Sequence, residues 1–275
     1  MKPTSRDPPV DAQPLPGPGG GCVSALRGAW IPSREDPELA MLEEVDWSVA
    51  PGDFWVVAGQ PGSGKSHLLE AAAGLLPLMR GECWLFGAPW LGMSAAARRQ
   101  VRRRVGFIFT DGGRLFGHLT VLQNVALALC YHEACAFERV RERVESVLDR
   151  TGVTAWADRY PQRLSRSMRQ RVALARALAL GPDVLFLDNP LSGLDAGQSR
   201  WWLEFLPGWL SGRSAVDGSS MTLVVATDDL RPWLTVARQF GVIRGRRWAA
   251  LGGVDAIRGS RDPLVRDLLA EGGGG

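Results

Sequence analysis

The 275 residues are 45% apolar and 22% charged, an ordinary balance for a globular chain. The net charge of +3 is too small to argue for nucleic acid as a partner, and no apolar run approaches the roughly 18 residues that span a bilayer. Four cysteines (Cys22, Cys83, Cys130, Cys135) lack C-x-x-C spacing, which argues against a zinc site or a disulfide framework and for reduced thiols in a cytosolic protein.

In chain order, residues 1–21 are rich in Pro and Gly, carry no signal-like apolar segment and read as a disordered tail. "DFWVVAG" (53–59) reads as a strand, followed by a glycine-rich loop and a helix over about 65–75. "ECWLFG" (82–87) and "VGFIFT" (105–110) are further strands, with an Arg-rich exposed helix between them over 93–104 and the loop "DGGRLFGH" after them. Helices are expected over 120–132 and 135–150, the second with Phe137, Val140, Val144, Val147 and Leu148 on one face and Gly152 beyond its end. Another runs from about Ser165 to Leu180. "DVLFLD" (183–188) and "TLVVAT" (222–227) are strands buried on both faces, separated by the loop "SGRSAVDGSS" (211–220). "FGVIRGRRWAALGG" (240–253) reads as a hairpin turning at Gly245, and "EGGGG" as a disordered end.

Strands alternating with helices imply an α/β fold with a mostly parallel sheet. The expected division is a tail (1–21), a core (22–90 and 165–262), a helical subdomain (91–164) and a C-terminal tail (263–275).

"GQPGSGKS" matches G-x-x-x-x-G-K-[ST] between a predicted strand and a predicted helix, the context a phosphate-binding loop requires. The candidate nucleotide-binding residues are Gly59, Gln60, Pro61, Gly62, Ser63, Gly64, Lys65, Ser66 and His67. The glycines let backbone N–H groups curl around phosphates, and the helix N-terminus adds a favourable dipole. Lys65 would reach the β- and γ-phosphates and the Ser66 hydroxyl would bind Mg2+. Lys65 is conspicuous because Lys2 is the only other lysine, a bias that genomic base composition explains. Asp188, ending a buried strand, is the natural second Mg2+ ligand, with helix capping as the alternative.

"YPQRLSRSMRQRVALARALALGPDVLFLDNPLSGLD" (160–195) resembles the signature-to-Walker-B block of ABC ATPases, and the likeness extends over about 23–268. It implies a P-loop NTPase (RecA-like) core, with the helical subdomain and a small antiparallel β portion. It also implies ATP and Mg2+ as cofactors, and a nucleotide-sandwich dimer in which one subunit's phosphate loop meets the other's signature helix. Whether that dimer is homo or hetero stays open. By the same resemblance, Asp195 in "SGLD" is the inter-subunit loop aspartate, and Trp30 lies near the adenine-stacking aromatic, with a core or surface tryptophan as the alternative.

Four departures from the family pattern matter. Asn189 stands where the family has its catalytic glutamate, Thr110 where it has a glutamine, and Asp228 where it has the switch histidine. The signature reads Leu164, Ser165, Arg166, Ser167, Met168 instead of "LSGGQ". An amide cannot usefully accept a proton from water, and loss of a general base costs about 10²–10⁴ in rate. Asp228 would bring negative charge toward the γ-phosphate, and Thr110 is too short for the glutamine's reach. Ser167 with Gln170 offers an alternative capping box that would shift the helix start, and Arg166 is either an obstruction or a new phosphate contact. The expectation is Mg-ATP binding with weak or absent hydrolysis.

"RRRVGFIFTDGGRLFGHLTVLQNVALAL" (102–129) is similar to the stretch by which transporter-type members dock a membrane permease, with Thr120, Val121, Asn124 and Val125 fitting "LTVxxNV"; an ordinary amphipathic helix is the alternative. That stretch and "DPLVRDLL" (262–269) are most similar to ATPase subunits of Mla-type phospholipid transport systems. The resemblance therefore implies a lipid-related transporter subunit, held at the inner face of the cell membrane by its permease. Two alternatives stay open: a pseudo-ATPase that regulates or scaffolds an assembly, and an active ATPase with Asp228 or Asp195 as base. In "SRWWLEFLPGWL" (199–210), Trp201 and Trp202 point about 100° apart on a helix, so both cannot face one core stripe.

Overall fold

The computed structural model describes residues 21–110, 114–210 and 221–270. The expected N-terminal tail apart from Gly21, the middle connector 211–220, the glycine end 271–275 and the first residues of the "DGGRLFGH" loop lie outside the described residues.

The described elements in chain order are β1 (Ser24–Pro32), β2 (Ala40–Val49), β3 (Phe54–Ala58), α1 (Lys65–Ala72), β4 (Arg80–Leu85), β5 (Ala88–Pro89), α2 (Ala95–Arg104), β6 (Val105–Ile108) and α3 (Val121–Glu133). There follow α4 (Arg141–Arg150), α5 (Arg166–Leu178), β7 (Val184–Asp188), α6 (Ala196–Leu210), β8 (Thr222–Thr227), β9 (Gln239–Arg244), β10 (Arg247–Gly252), α7 (Val254–Arg258) and α8 (Pro263–Leu269). No helix among them is long and apolar enough to cross a membrane.

Two sheets organise the chain. One has six strands in the order β10-β9-β3-β8-β7-β6, parallel except for β10; the other has four antiparallel strands in the order β2-β1-β4-β5. In the central strands every residue is buried. Side chains alternate in direction along a strand, so both faces of the large sheet must be covered. Phe54, Val56, Leu185, Leu187, Leu223 and Val225 pack on one face with residues of α3 to α6 and α8. Trp55, Val57, Val184, Phe186 and Val224 pack on the other with α1 and the antiparallel sheet. An apolar run without alternation is therefore the signature of a strand sandwiched between two layers.

Several expectations change in detail. Within the stretch 91–164, the strand expected at 105–110 forms as β6 and pairs with β7 inside the large sheet. The helices of that stretch form no core of their own: Val121, Val125 and Val144 belong to the same cluster as Phe54. Residues 263–269, assigned to a tail, fold as α8; Asp262 caps it through Leu264 N at 2.9 Å, and Leu264, Val265 and Leu268 are buried. The expected shift of the signature helix does not occur. Ser165 remains the N-cap, accepting from Met168 N at 3.3 Å, while Ser167 is buried inside the helix. The hairpin turns as expected, with Gly245 and Arg246 at φ 54 and 65, the pair of left-handed residues a tight two-residue turn requires. Trp202 is fully buried, and Trp201 stacks on Phe205 beneath the Arg171 guanidinium.

Candidate functional site

In a parallel sheet the carboxyl ends of all strands meet along one edge, the usual place for a ligand. Here the register pairs Ala58 with Thr227 and Asp188 with Ala226, so the loops after β3, β7 and β8 emerge level with one another. They border a cleft of ≈ 460 Å³, within the usual range for small-molecule sites. Its walls include Pro61, Gly62, Gly64, Lys65, Ser66 and His67 from the phosphate-type loop, together with Thr110, Asp188, Asn189 and Asp228.

The loop has the backbone its glycines predict. Gly62 and Gly64 take φ of 77 and 102, and Gly64 is the N-cap of α1. At Gly62 the backbone angle alone demands glycine; at Gly64 a Cβ would also come within 2.9 Å of Met41. The Lys65 ammonium donates to the carbonyl oxygens of Gly59 (2.7 Å) and Gln60 (2.8 Å). An ammonium has three donors, so a further one remains for an anion in the cleft. Burial pulls the Lys65 pKa below the ordinary lysine value, opposed by the charges of Asp228 and Asp188. A bound anion would relieve that desolvation, which is the behaviour expected of a phosphate-holding lysine.

The groups opposite Lys65 form two short polar links. Thr110 Oγ1 donates to Asp188 Oδ2 at 2.8 Å, so one carboxylate oxygen is engaged and the other is left for a cation. Asn189 Nδ2 donates to Asp228 Oδ2 at 3.5 Å. Asn189 sits at φ 52, a left-handed conformation asparagine tolerates, and its backbone is fixed by N–H to Ala226 O and by accepting from Ser192 N. Thr110, Asn189 and Asp228 therefore lie together, in contact with Asp188 or with each other.

The donor set fits a magnesium-bound polyphosphate. A hydroxyl (Ser66) and a carboxylate (Asp188) are the hard oxygen ligands Mg2+ takes, and the ammonium and loop N–H groups suit phosphate. Ser66 and Asp188 would hold the ion, which would neutralise phosphate charge.

Other expected residues lie elsewhere. Ser165, Arg166, Ser167 and Met168 do not line the cleft, nor does Asp195, whose Oδ1 accepts from Gln198 N at 2.8 Å and caps α6. Arg166 lies against the "SGLD" loop, its guanidinium 3.0 Å from where a Cβ on Gly193 would be. Trp30 is also outside the cleft; its ring lies under the Arg80 guanidinium, 5.6 Å away. Four cleft residues were not anticipated: Ser33, Arg34 and Glu35 from the β1–β2 connection, and Met41 from β2. The charged run "SREDPE" between two strands was the available signal. Arg34 N donates to His67 Nε2 at 3.3 Å. Burial, then the Arg34 charge, lower the His67 pKa, which keeps that nitrogen an acceptor at neutral pH.

Comparison with known proteins gives a family model described as ABC transporter, matching residues 42–192. The sulfate/thiosulfate import ATP-binding protein CysA of Synechococcus elongatus is 38% identical over 221 residues, covering 80% of this chain and 60% of the relative. The methionine import ATP-binding protein MetN 1 of Rhodococcus jostii is 36% identical over 225 residues, covering 82% and 64%. The chain spans about 60% of the length of the curated relatives it matches. Among solved structures, cbiO1 from Clostridium perfringens superposes with a TM-score of 0.73 at 22% identity, covering 90% of this chain and 94% of that one, a likeness of fold. The ATP-binding cassette MJ0796, solved as a dimer bound to ADP and Pi, also gives 0.73, at 26% identity, covering 84% and 99%.

Proposed function

The chain belongs to the ABC transporter family, and from that premise we propose that it is a transporter's ATP-binding subunit that holds Mg-ATP and hydrolyses it weakly or not at all. One observation carries this reading. The phosphate-holding set is complete, while Thr110, Asn189 and Asp228 replace the groups around the attacking water within the same cleft. A neutral amide at 189 cannot take the proton of water, and a carboxylate at 228 adds like charge near the γ-phosphate. The signature is altered as well, so neither composite site of a sandwich dimer would be whole, even beside an intact partner subunit.

Docking to a membrane permease follows from the family and from the stretch around α3. The phospholipid reading is weaker. Its two phrases have local structural duties: Asn124 holds the turn before α3 through Phe116, Leu119 and Thr120, and "DPLVRDLL" is the capped, buried α8. The relatives named above are sulfate/thiosulfate and methionine import proteins, which favours an importer of a small solute.

The test is ATP binding and turnover by the purified chain, beside Lys65→Ala. Binding without turnover, lost in Lys65→Ala, supports the proposal; turnover at ordinary ABC ATPase rates sinks it. The Asn189–Asp228 contact favours one second reading, in which Asn189 orients Asp228 as the base. Turnover that disappears in Asp228→Ala would establish it.

A further inference from the structure

The cleft has a phosphate end and an opposite end formed by Ser33, Arg34, Glu35 and Met41, and no Phe, Tyr or Trp is among its described lining residues. Resting on the nucleotide-site reading above, we propose that Arg34, held at its edge by Glu70, is the platform on which the nucleobase stacks.

Glu70 lies on α1 and is 5% exposed. A buried carboxylate is costly unless paired, and Glu70 pairs with Arg34: the Nε donates to Oε2 at 3.0 Å, and the second guanidinium nitrogen meets Oε1. The hydrogen bond and the ion pair together hold the guanidinium edge against the carboxylate. The Arg34 side chain nevertheless keeps 43% of its surface exposed, so its face is presented while its edge is held. A guanidinium plane stacks on a base much as an aromatic ring does. The backbone is anchored too, through Arg34 N–H to His67 Nε2. His67 and Glu70 are one turn apart on α1, so both anchors use the same helix face. His67 directly follows the phosphate-loop residues Lys65 and Ser66. A nucleotide whose phosphates lie on that loop thus has Arg34 on the side where its base must go. Met41, beside Arg34 in the cleft, adds a soft, polarizable surface for a base. Trp30 lies outside the cleft, with the Arg80 guanidinium over its ring.

The experiment compares ATP with inorganic tripolyphosphate, which has the phosphates and no base, by calorimetric titration in Mg2+. Arg34→Ala should weaken ATP binding by roughly 5- to 100-fold, the usual worth of one stacked base, and leave tripolyphosphate binding unchanged. Arg34→Lys keeps the charge without the plane and should behave as Arg34→Ala. Because removing Arg34 alone strands the Glu70 carboxylate, Arg34→Ala/Glu70→Ala is measured beside it and should show the same selective loss. Trp30→Ala should bind ATP as the parent does. Equal losses for both ligands would make Arg34 a phosphate contact and overturn the proposal, as would ATP binding that survives in Arg34→Ala or falls in Trp30→Ala. If the parent chain binds neither ligand, or Lys65→Ala binds both, the nucleotide-site reading itself fails, and this proposal with it.

Discussion

Replacing Asp228 by Asn separates two accounts of the cleft. The substitution removes one charge with almost no change in shape, and an amide can still accept from Asn189 Nδ2, which now donates to Asp228 Oδ2. Two electrostatic effects follow. The Asp228 charge acts on the Lys65 ammonium, so the carboxylate competes with phosphate for the same cation. It also repels any γ-phosphate in the cleft. For two unit charges about 5 Å apart, Coulomb's law gives ~0.8 kcal/mol in water and ~3 kcal/mol at an effective dielectric of about 20. Asp228 is exposed, so solvent screening places the effect near the lower limit. About 1 kcal/mol, or roughly fivefold tighter ATP binding, is expected.

The assay is competition of ATP and ADP against a fluorescent nucleotide, at low and at high salt. ATP should gain more than ADP, which lacks the γ-phosphate, and the gain should shrink as salt screens it. On the proposed reading, turnover should be as low as in the parent chain. Unchanged or weaker ATP binding would refute the electrostatic reasoning. A fall in turnover of about 10²–10⁴ would make Asp228 a general base and refute the account of an impaired site.

Other expected outcomes concern titration and packing. Lys65 has a depressed pKa in the nucleotide-free fold; between that value and the ordinary ~10.4, nucleotide binding should take up a proton and weaken as pH rises. Calorimetry in buffers of different ionisation enthalpy reads the uptake, and none at alkaline pH would contradict the depressed value. In the same window the unfolded chain binds more protons at this lysine, so its contribution to stability of the empty fold rises with pH. Gly241→Ala should destabilise by about 1–3 kcal/mol through overpacking, since its Cβ would lie 2.2 Å from the Trp248 ring; thermal denaturation checks it, and an unchanged melting temperature would mean Trp248 swings aside freely. Asn124→Ala should cost about 1–3 kcal/mol by leaving Phe116 N–H and three carbonyls without the side chain that now serves them. Hydrogen exchange at residues 116–121 should rise, and continued protection would show that the backbone holds the turn unaided.

Legibility followed the physical origin of each signal. The central strands were readable because a strand buried on both faces must be continuously apolar, as "DVLFLD" and "TLVVAT" are. The phosphate loop was readable because its glycines answer to backbone angles that few other residues adopt. β1 was not delineated: its pairing with β2 shifts register between Leu26 and Ala29 and again on either side of Ile31, which breaks the period-2 pattern. Nor was the Arg34 end of the cleft visible, since an exposed charged loop looks alike whether it faces solvent or a ligand. Only the pairing with buried Glu70, 36 positions along the chain, distinguishes it.

The sheet order shows how, on the proposed reading, binding and hydrolysis would part company in this chain. The phosphate loop follows β3, and Asp188 ends β7. Thr110, Asn189 and Asp228 lie just past the carboxyl ends of β6, β7 and β8, three neighbouring strands of the same sheet. Residues so placed are side-chain choices at the mouth of strands whose buried bodies set the fold. Such side chains can differ without entering the packed body of the sheet, and they still set the groups that face the cleft. The interactions formed instead, Thr110 with Asp188 and Asn189 with Asp228, satisfy polar atoms that the exchanges would otherwise leave unpaired. On the proposed reading, such a site keeps the means to hold a nucleotide, and turnover, if measured, would point to the Asn189–Asp228 pair.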